Sequence, residues 1–229
     1  MRRAAFFDCD STLSAVEGID LLARRAHVAA QVVPLTKAAM EGSLTLEQVY
    51  ARRLDLIRPT REDVAWLGTQ YVEQRAEGAA ETVAALHALG WQVHVISSGI
   101  REAVLALAAE FAIPAERVHA VEVYFDAAGR YRDFDRASPL TRAGGKAAVC
   151  RGLMTRLDSA VMIGDGVTDL EAAEANVPVV GFGGIARRER VVAKAWKYVD
   201  APSLTAVLDV ILSPADHARL MGQSGTPRP

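Results

Sequence analysis

From Gly78 to Asp200 the chain alternates between two kinds of segment, and this alternation limits the fold more than anything else in it. "AAETVAALHALG" carries apolar residues at three- and four-residue intervals and reads as a helix ending at Gly90. "WQVHVISSG" reads as a strand that ends in small residues. "REAVLALAAEFAI" is a helix stopped by Pro114, and "RVHAVEVYFDAAGRYRDFD" holds two short strands around Ala127–Gly129, a hairpin signal. "GGKAAVCRGLM" opens a helix behind two glycines. "SAVMIGDG" is a strand, "TDLEAAEAN" a helix and "VPVVGFGG" a further strand. "KYVD" adds a last strand before the helix "SLTAVLDVIL". Strands alternating with helices imply an α/β fold: a mainly parallel, Rossmann-like sheet with helices on both faces.

A first strand, "AAFFD", lies far upstream of this region. Between them, from Ser14 to Gln74, "GIDLLARRA", "VVPLTKAAM", "LTLEQVYARRLDLI" and "EDVAWLGTQYVEQ" all have helical periodicity, and no strand candidate appears. Thr60 is the expected N-cap of the last of these helices, and Pro59 helps to part it from its predecessor. The expected organisation is an α/β core of residues 1–13 and 76–222, a helical cap of residues 14–75 inserted after the first strand, and a flexible tail, 223–229.

The chain has 26 basic and 28 acidic residues, a net charge of −2. No general field draws it to nucleic acid or to an anionic membrane, so an anionic ligand needs a local site. The apolar stretch before Asp8 is too short for a signal-peptide core, and no later run spans a bilayer. Two cysteines, Cys9 and Cys150, with neither ligand spacing nor a disulfide framework fit a reducing cytoplasm. The five histidines are scattered without ligand spacing. Trp66, Trp91 and Trp196 read as core or interface aromatics, and "ARRER" (Ala186 to Arg190) as a solvated basic turn that could reach an anionic ligand.

In an open parallel sheet, ligands bind beyond the carboxyl ends of the strands. Three strands end there in unusual residues: Asp8-Cys9-Asp10-Ser11-Thr12, Ser97-Ser98-Gly99, and Gly164-Asp165-Gly166-Val167-Thr168-Asp169. Lys146 opens a helix on the same side. Singly, each reads as a turn or a solvated charge; together they make chemical sense. Carboxylates without cysteine or histidine partners form a hard oxygen site suited to Mg²⁺. A lysine, a serine hydroxyl and main-chain N–H groups can cradle phosphate oxygens. One aspartate can serve as nucleophile and another as acid and base.

The order DxDST, SSG, GGK, GDGVTD resembles the four-motif signature of the haloacid-dehalogenase-like superfamily of phosphohydrolases. "DCDSTLSAVEGIDLLA", "ISSGIRE", "AGGKAAV", "MIGDGVTDLEA" and "GFGG" are most similar to the phosphoserine phosphatase family, from about Ala4 to Asp200. The resemblance implies a Mg²⁺-dependent phosphatase that converts O-phospho-L-serine to L-serine and phosphate, the last step of serine biosynthesis. Asp8 would be the nucleophile and a metal ligand. Asp10 would be the general acid and base, its main-chain carbonyl also on the metal, with Asp165 the further ligand and Asp169 behind it. Ser97 and Lys146 would hold the phosphoryl group, with Ser98 and Thr168 beside it. Glu17 would take the substrate ammonium and Arg53 its carboxylate, under an apolar lid residue, Met40. Leu46, Ser98 and Ile100 depart from residues usual in that family, which bears on pocket shape. The implied partner is a small phosphomonoester, with no nucleic acid and no membrane, for a monomer or homodimer. Open alternatives are a phosphatase or phosphotransferase for another phosphomonoester, a phosphoacceptor signalling domain and an inactive binding module.

Overall fold

The computed structural model describes residues 1–223. Its centre is a parallel sheet of six strands: β1 (Arg3–Phe7), β2 (Gln92–Ile100), β3 (Val118–Val121), β6 (Ser159–Gly164), β7 (Val179–Phe182) and β8 (Lys197–Val199), in the order β3-β2-β1-β6-β7-β8. The α/β expectation is met, with every pairing in this sheet parallel. β1 lies between β2 and β6, with Phe7 level with Val95 on one side and Ile163 on the other. From β1 the chain first builds outward through β2 and β3. It then crosses back to β6 and builds outward the other way. The reversal puts a crevice at the carboxyl ends of β1, β2 and β6, where ligands of open α/β sheets bind. Ala4, Ala5, Phe6 and Phe7 have no exposed surface, as expected of a strand covered on both faces.

Helices α5 (Ala79–Ala88), α6 (Arg101–Glu110), α7 (Gly145–Met154), α8 (Glu189–Lys194), α9 (Leu208–Ile211) and α10 (Pro214–Gln223) surround the sheet. The segment after β1 holds α1 (Gly18–Arg25), α2 (Ala29–Met40), α3 (Leu46–Ile57) and α4 (Arg61–Glu73). Thr60 caps α4 as expected, accepting from Asp63 N–H while the Asp63 carboxylate accepts from Thr60 N–H. The chain leaves for these helices and returns from them side by side: Ala15 N–H donates to Gln74 (2.7 Å) and Ala76 N–H to Leu13 (2.9 Å). α4 packs along α6, where Gly68 faces Ala103 and Ala106 and lets the helices come close.

Several local readings change. The stretch read as two strands holds three: β3 joins the main sheet, and β4 (Val123–Phe125) pairs with β5 (Tyr131–Phe134) in the separate hairpin. "TDLEAAEAN" winds as 3₁₀ helix, Asp169–Ala175, with the Asp169 carboxylate accepting from Gly166 N–H at its start. Trp196 is 56% exposed, so it is no core residue. A last helix, α10, follows the one expected, fastened by Asp216 to both terminal nitrogens of Arg3 (2.7 and 2.9 Å). The expected flexible tail, 223–229, lies outside the described residues save for the backbone of Gln223, which ends α10. No helix among the described residues is long and apolar enough to cross a membrane.

His94 and His119 lie together on β2 and β3, ring nitrogens 3.2 Å apart, with Gln92 and Arg117 nearby. Burial, then His119 and Arg117, lowers the pKa of His94 to about 4, and burial with Arg101 lowers that of His119. An unfolded histidine titrates near ~6.5, so below that pH the unfolded chain binds more protons. The stability that His94 contributes is complete above about 6.5 and is lost as the pH falls toward 4, at up to ~1.4 kcal/mol per pH unit, and His119 acts in the same direction. Urea unfolding from pH 7.5 to 4.5 should therefore fall less steeply for His94→Gln than for the wild type. Parallel pH profiles would refute this account of the pair.

Candidate active site

The site begins where β1 ends. Asp8 N–H still donates to the Ile163 carbonyl of β6 (3.0 Å), so the strand register fixes its backbone. The chain then makes one wide turn, Cys9–Leu13, closed by Ser14 N–H on the Cys9 carbonyl (2.9 Å). Within it Ser11 takes φ +50°, a left-handed conformation that costs a residue with a Cβ on the order of 1 kcal/mol. The turn sends the Cys9 side chain into the core, where burial raises its thiol pKa, and aims Asp8 and Asp10 at the crevice.

Lys146, at the start of α7, lies between two carboxylates: its Nζ is 2.8 Å from Asp8 Oδ2 and 2.6 Å from Asp169 Oδ1. All three side chains are buried. Burial alone would lower the lysine pKa; Asp169 and Asp8 outweigh it and raise it, so the ammonium stays charged. Asp8 Oδ1 accepts from Cys9 N–H (2.7 Å), and Asp169 Oδ2 from Gly166 N–H (2.9 Å). Gly164 makes this possible, since a Cβ there would occupy the space of the Asp169 carboxylate.

Asp8, Asp165 and Asp169 each offer an oxygen within 4.8 Å of the others, all buried. Burial raises Asp165 well above the usual carboxylate range, with Glu17 and Asp8 adding to it, and raises Asp169 to about 7 against the pull of Lys146. An oxygen-only, crowded cluster of this kind fits a hard cation, which would relieve the repulsion. All three carboxylates have hydrogen-bond partners, but Asp8 and Asp165 line the cavity and Asp169 does not.

One cavity gathers Asp8, Asp10, Glu17, Met40, Arg53, Ser97, Ser98, Lys146, Asp165 and Thr168; Asp169 lies beneath it with no exposed surface. Ser97 Oγ accepts from Gly99 N–H (3.0 Å). Ser98 turns its hydroxyl into the protein, where it has no partner, and its carbonyl accepts from Tyr50 (3.0 Å). Arg53 on α3 is buried, with one terminal nitrogen 3.3 Å from Thr36 Oγ1 and its Nε without a partner. Burial raises Asp10 to about 6, with Asp8 adding to it, and raises Glu17 to about 8, with Asp10 adding to it.

Three residues here escape sequence reasoning. Arg188 is no solvated charge: its side chain is 15% exposed, its Nε is 2.8 Å from Asp165 Oδ2 and one terminal nitrogen is 3.0 Å from Glu17 Oε1. Two buried acids with little countercharge draw it in. Nothing in "ARRER" separates it from Arg187, which pairs with Asp200, or Arg190, which holds the carbonyls of Glu41 and Gly42. Tyr50 and Tyr71 sit at apolar positions of helical repeats, yet each hydroxyl reaches the site.

The comparisons with known proteins agree with this geometry. The haloacid dehalogenase-like hydrolase family model matches residues 2–176. The phosphoserine phosphatase of Mus musculus is 37% identical over 209 residues, which cover 90% of this chain and 93% of that protein. A solved phosphoserine phosphatase described as a phospho-aspartyl intermediate analogue superposes with a TM-score of 0.81 at 26% identity, over 92% of this chain and 99% of the other. A substrate-bound phosphoserine phosphatase complex does so with a TM-score of 0.81 at 25% identity, over 93% and 99%. A family model spanning most of the chain and a relative matched over nearly its full length show that the chain belongs to the haloacid dehalogenase-like hydrolases, in the phosphoserine phosphatase family.

Proposed function

We propose that the chain hydrolyses O-phospho-L-serine to L-serine and inorganic phosphate through an aspartyl-phosphate on Asp8, with Mg²⁺ as cofactor. The observation that carries the substrate is Arg53: a buried guanidinium with an unpartnered Nε, lining the same cavity as Asp8 and Lys146. A buried cation with unused donors is costly until an anion arrives, and a carboxylate suits a planar guanidinium. Glu17 lines the same cavity and supplies the opposite charge for an ammonium. A zwitterionic amino acid carrying a phosphate satisfies Glu17, Arg53 and the Asp8 end together.

Lys146 holds the phosphoryl oxygens and offsets the charge of Asp8, and Ser97 with the main chain of the Ser97–Gly99 loop adds donors. Asp8 and Asp165 side chains and the Asp10 carbonyl would hold Mg²⁺, which when bound draws charge from the phosphoryl oxygens. Asp8 attacks phosphorus; the bond from phosphorus to the serine oxygen breaks, and its electron pair stays on that oxygen. Asp10 gives the oxygen a proton and serine leaves. A water then attacks phosphorus, Asp10 takes its proton, and phosphate departs with Asp8 restored. In the structure Arg188 neutralises the two carboxylates, Glu17 and Asp165, that this reading assigns to ammonium and metal, so binding exchanges one set of cations for another. Helices 14–75 act as a cap over the core of residues 1–13 and 76–222. The buried, unpaired Cys9 and Cys150 suit a reducing cytoplasm, where the chain works as a monomer or homodimer.

Phosphate release should be measured on L-phosphoserine, phosphoethanolamine and 4-nitrophenyl phosphate, with Mg²⁺ and with EDTA. L-Phosphoserine should lead phosphoethanolamine in kcat/KM by about 100-fold, roughly 2.7 kcal/mol for a charge-assisted contact, and EDTA should abolish turnover. Metal-dependent hydrolysis without that preference would assign the cap to another phosphomonoester, and transfer to an added alcohol in place of water would make the chain a phosphotransferase. Asp8→Asn should fold normally and lose about 10⁴-fold or more in kcat; appreciable residual turnover would refute the nucleophile. Arg53→Ala should raise KM for phosphoserine about 100-fold and leave that for 4-nitrophenyl phosphate within about twofold. Equal effects on both would remove the carboxylate role.

A further inference from the structure

Asp10 has two oxygens in unlike surroundings. Oδ1 accepts from Gly18 N–H (2.6 Å), at the start of α1, and from the Tyr71 hydroxyl (2.8 Å), near the end of α4. No hydrogen bond among the described residues reaches Oδ2, which lies against Gly99, beside Ser97. Tyr71 is almost wholly buried, so its hydroxyl cannot turn to solvent. The chain keeps room for that hydroxyl at Gly18, with Gly99 on its other side at ordinary contact distance. A Cβ on Gly18 would overlap it, and one on Gly99 would stand 3.4 Å from it.

We propose that Tyr71 is a positioning residue for the acid–base chemistry of Asp10: its hydroxyl, with Gly18 N–H, fills Oδ1 and leaves Oδ2 as the oxygen that carries the proton toward the substrate. The inference rests on the reading of Asp10 as general acid and base. An oxygen that accepts two donors has no place for a proton of its own, so the neutral carboxyl carries its proton on Oδ2. When the bond from phosphorus to the serine oxygen breaks, that proton passes to the serine oxygen, which has received the electron pair. In the second half, Oδ2 takes a proton from the attacking water. Without the Tyr71 hydroxyl, one donor holds Oδ1, the carboxyl turns more freely, and the proton spends time on the wrong oxygen. Tyr71 lines the edge of the cavity, but its hydroxyl is directed to Asp10 Oδ1, and it acts through that carboxyl.

The test uses leaving groups. A serine oxygen must be protonated to depart, whereas 4-nitrophenolate departs without a proton. kcat/KM reports steps up to that departure and is blind to later hydrolysis of the aspartyl-phosphate. Tyr71→Phe removes one oxygen and keeps the ring. It should lower kcat/KM for L-phosphoserine about 10-fold, part of the ~10²–10⁴ that general acid–base catalysis supplies, and change that for 4-nitrophenyl phosphate less than about twofold. Gly18→Ala, which crowds the hydroxyl and keeps the N–H, should show the same selectivity. Asp10→Asn is the reference, with the same selectivity and a larger loss. If Asp10→Asn lowers both substrates alike, the reading of Asp10 fails. If Asp10→Asn is selective while Tyr71→Phe and Gly18→Ala lower both substrates alike, or neither, the Tyr71 inference alone is overturned.

Discussion

The site depends on one buried ammonium between two buried carboxylates. Taking Lys146, Asp8 and Asp169 out of water costs several kcal/mol for each ion, and the arrangement holds because one ammonium meets both carboxylates at hydrogen-bond distance while Cys9 N–H and Gly166 N–H satisfy their other oxygens. Asp8 comes from the end of β1, Lys146 from the start of α7, and Asp169 from the turn after β6. These points are far apart in sequence, and the parallel sheet is what brings them together. Removing Lys146 would leave two buried carboxylates without their cation, whereas Asp8→Asn still leaves the Lys146–Asp169 pair, so stability in the triplet rests most on the lysine.

Beyond the triplet, the cavity has more acid than base. Asp8, Asp10, Glu17, Asp165 and Asp169 face Lys146, Arg53 and Arg188, five carboxyl groups against three cations. Two negative charges remain if all are ionised; burial first, and then the neighbouring carboxylates, raise the pKa values of Asp10, Glu17, Asp165 and Asp169. A divalent cation matches the deficit. The position of Arg188 fits the same imbalance: it bridges Glu17 and Asp165. Those two carboxylates are set against a partner that substrate or metal could replace, while Arg53 waits without an ion-pair partner among the described residues.

The alternation of strands and helices, the helical segment after β1 and the acidic strand ends were legible because each is a local pattern repeated along the chain. A hydrophobic period needs no knowledge of the partner element. What escaped depends on partners distant in sequence. Tyr71 occupies an apolar position of α4, and only its meeting with Asp10, 61 residues away, gives the hydroxyl a purpose. Arg188 stands among similar arginines and is singled out by Glu17, 171 residues away. α10 carries three charged or titratable side chains, Asp216, His217 and Arg219, and what fixes it is Arg3 at the other end of the chain, so no local pattern marked it as a further helix. The resemblance to a known family implied roles for the motif residues and for Glu17, Met40 and Arg53, but none for Tyr50, Tyr71 or Arg188.

These unforeseen contacts divide the labour within the helical segment. Glu17, Met40 and Arg53, the residues assigned to substrate choice, precede or belong to α1, α2 and α3. Tyr71 comes from α4, which packs along α6 through Gly68, Ala103 and Ala106. A close helix contact through small side chains resists sliding, because there is no flexible chain to repack. α4 is thereby anchored on the core helix α6 and carries Tyr71 to Asp10, whereas Glu17, Met40 and Arg53 come with the three helices before it. The division is not complete: Gly18 N–H, at the start of α1, donates to the same Asp10 oxygen, so under the proposed roles a displacement of α1 would reach the proton-bearing carboxyl as well as the pocket.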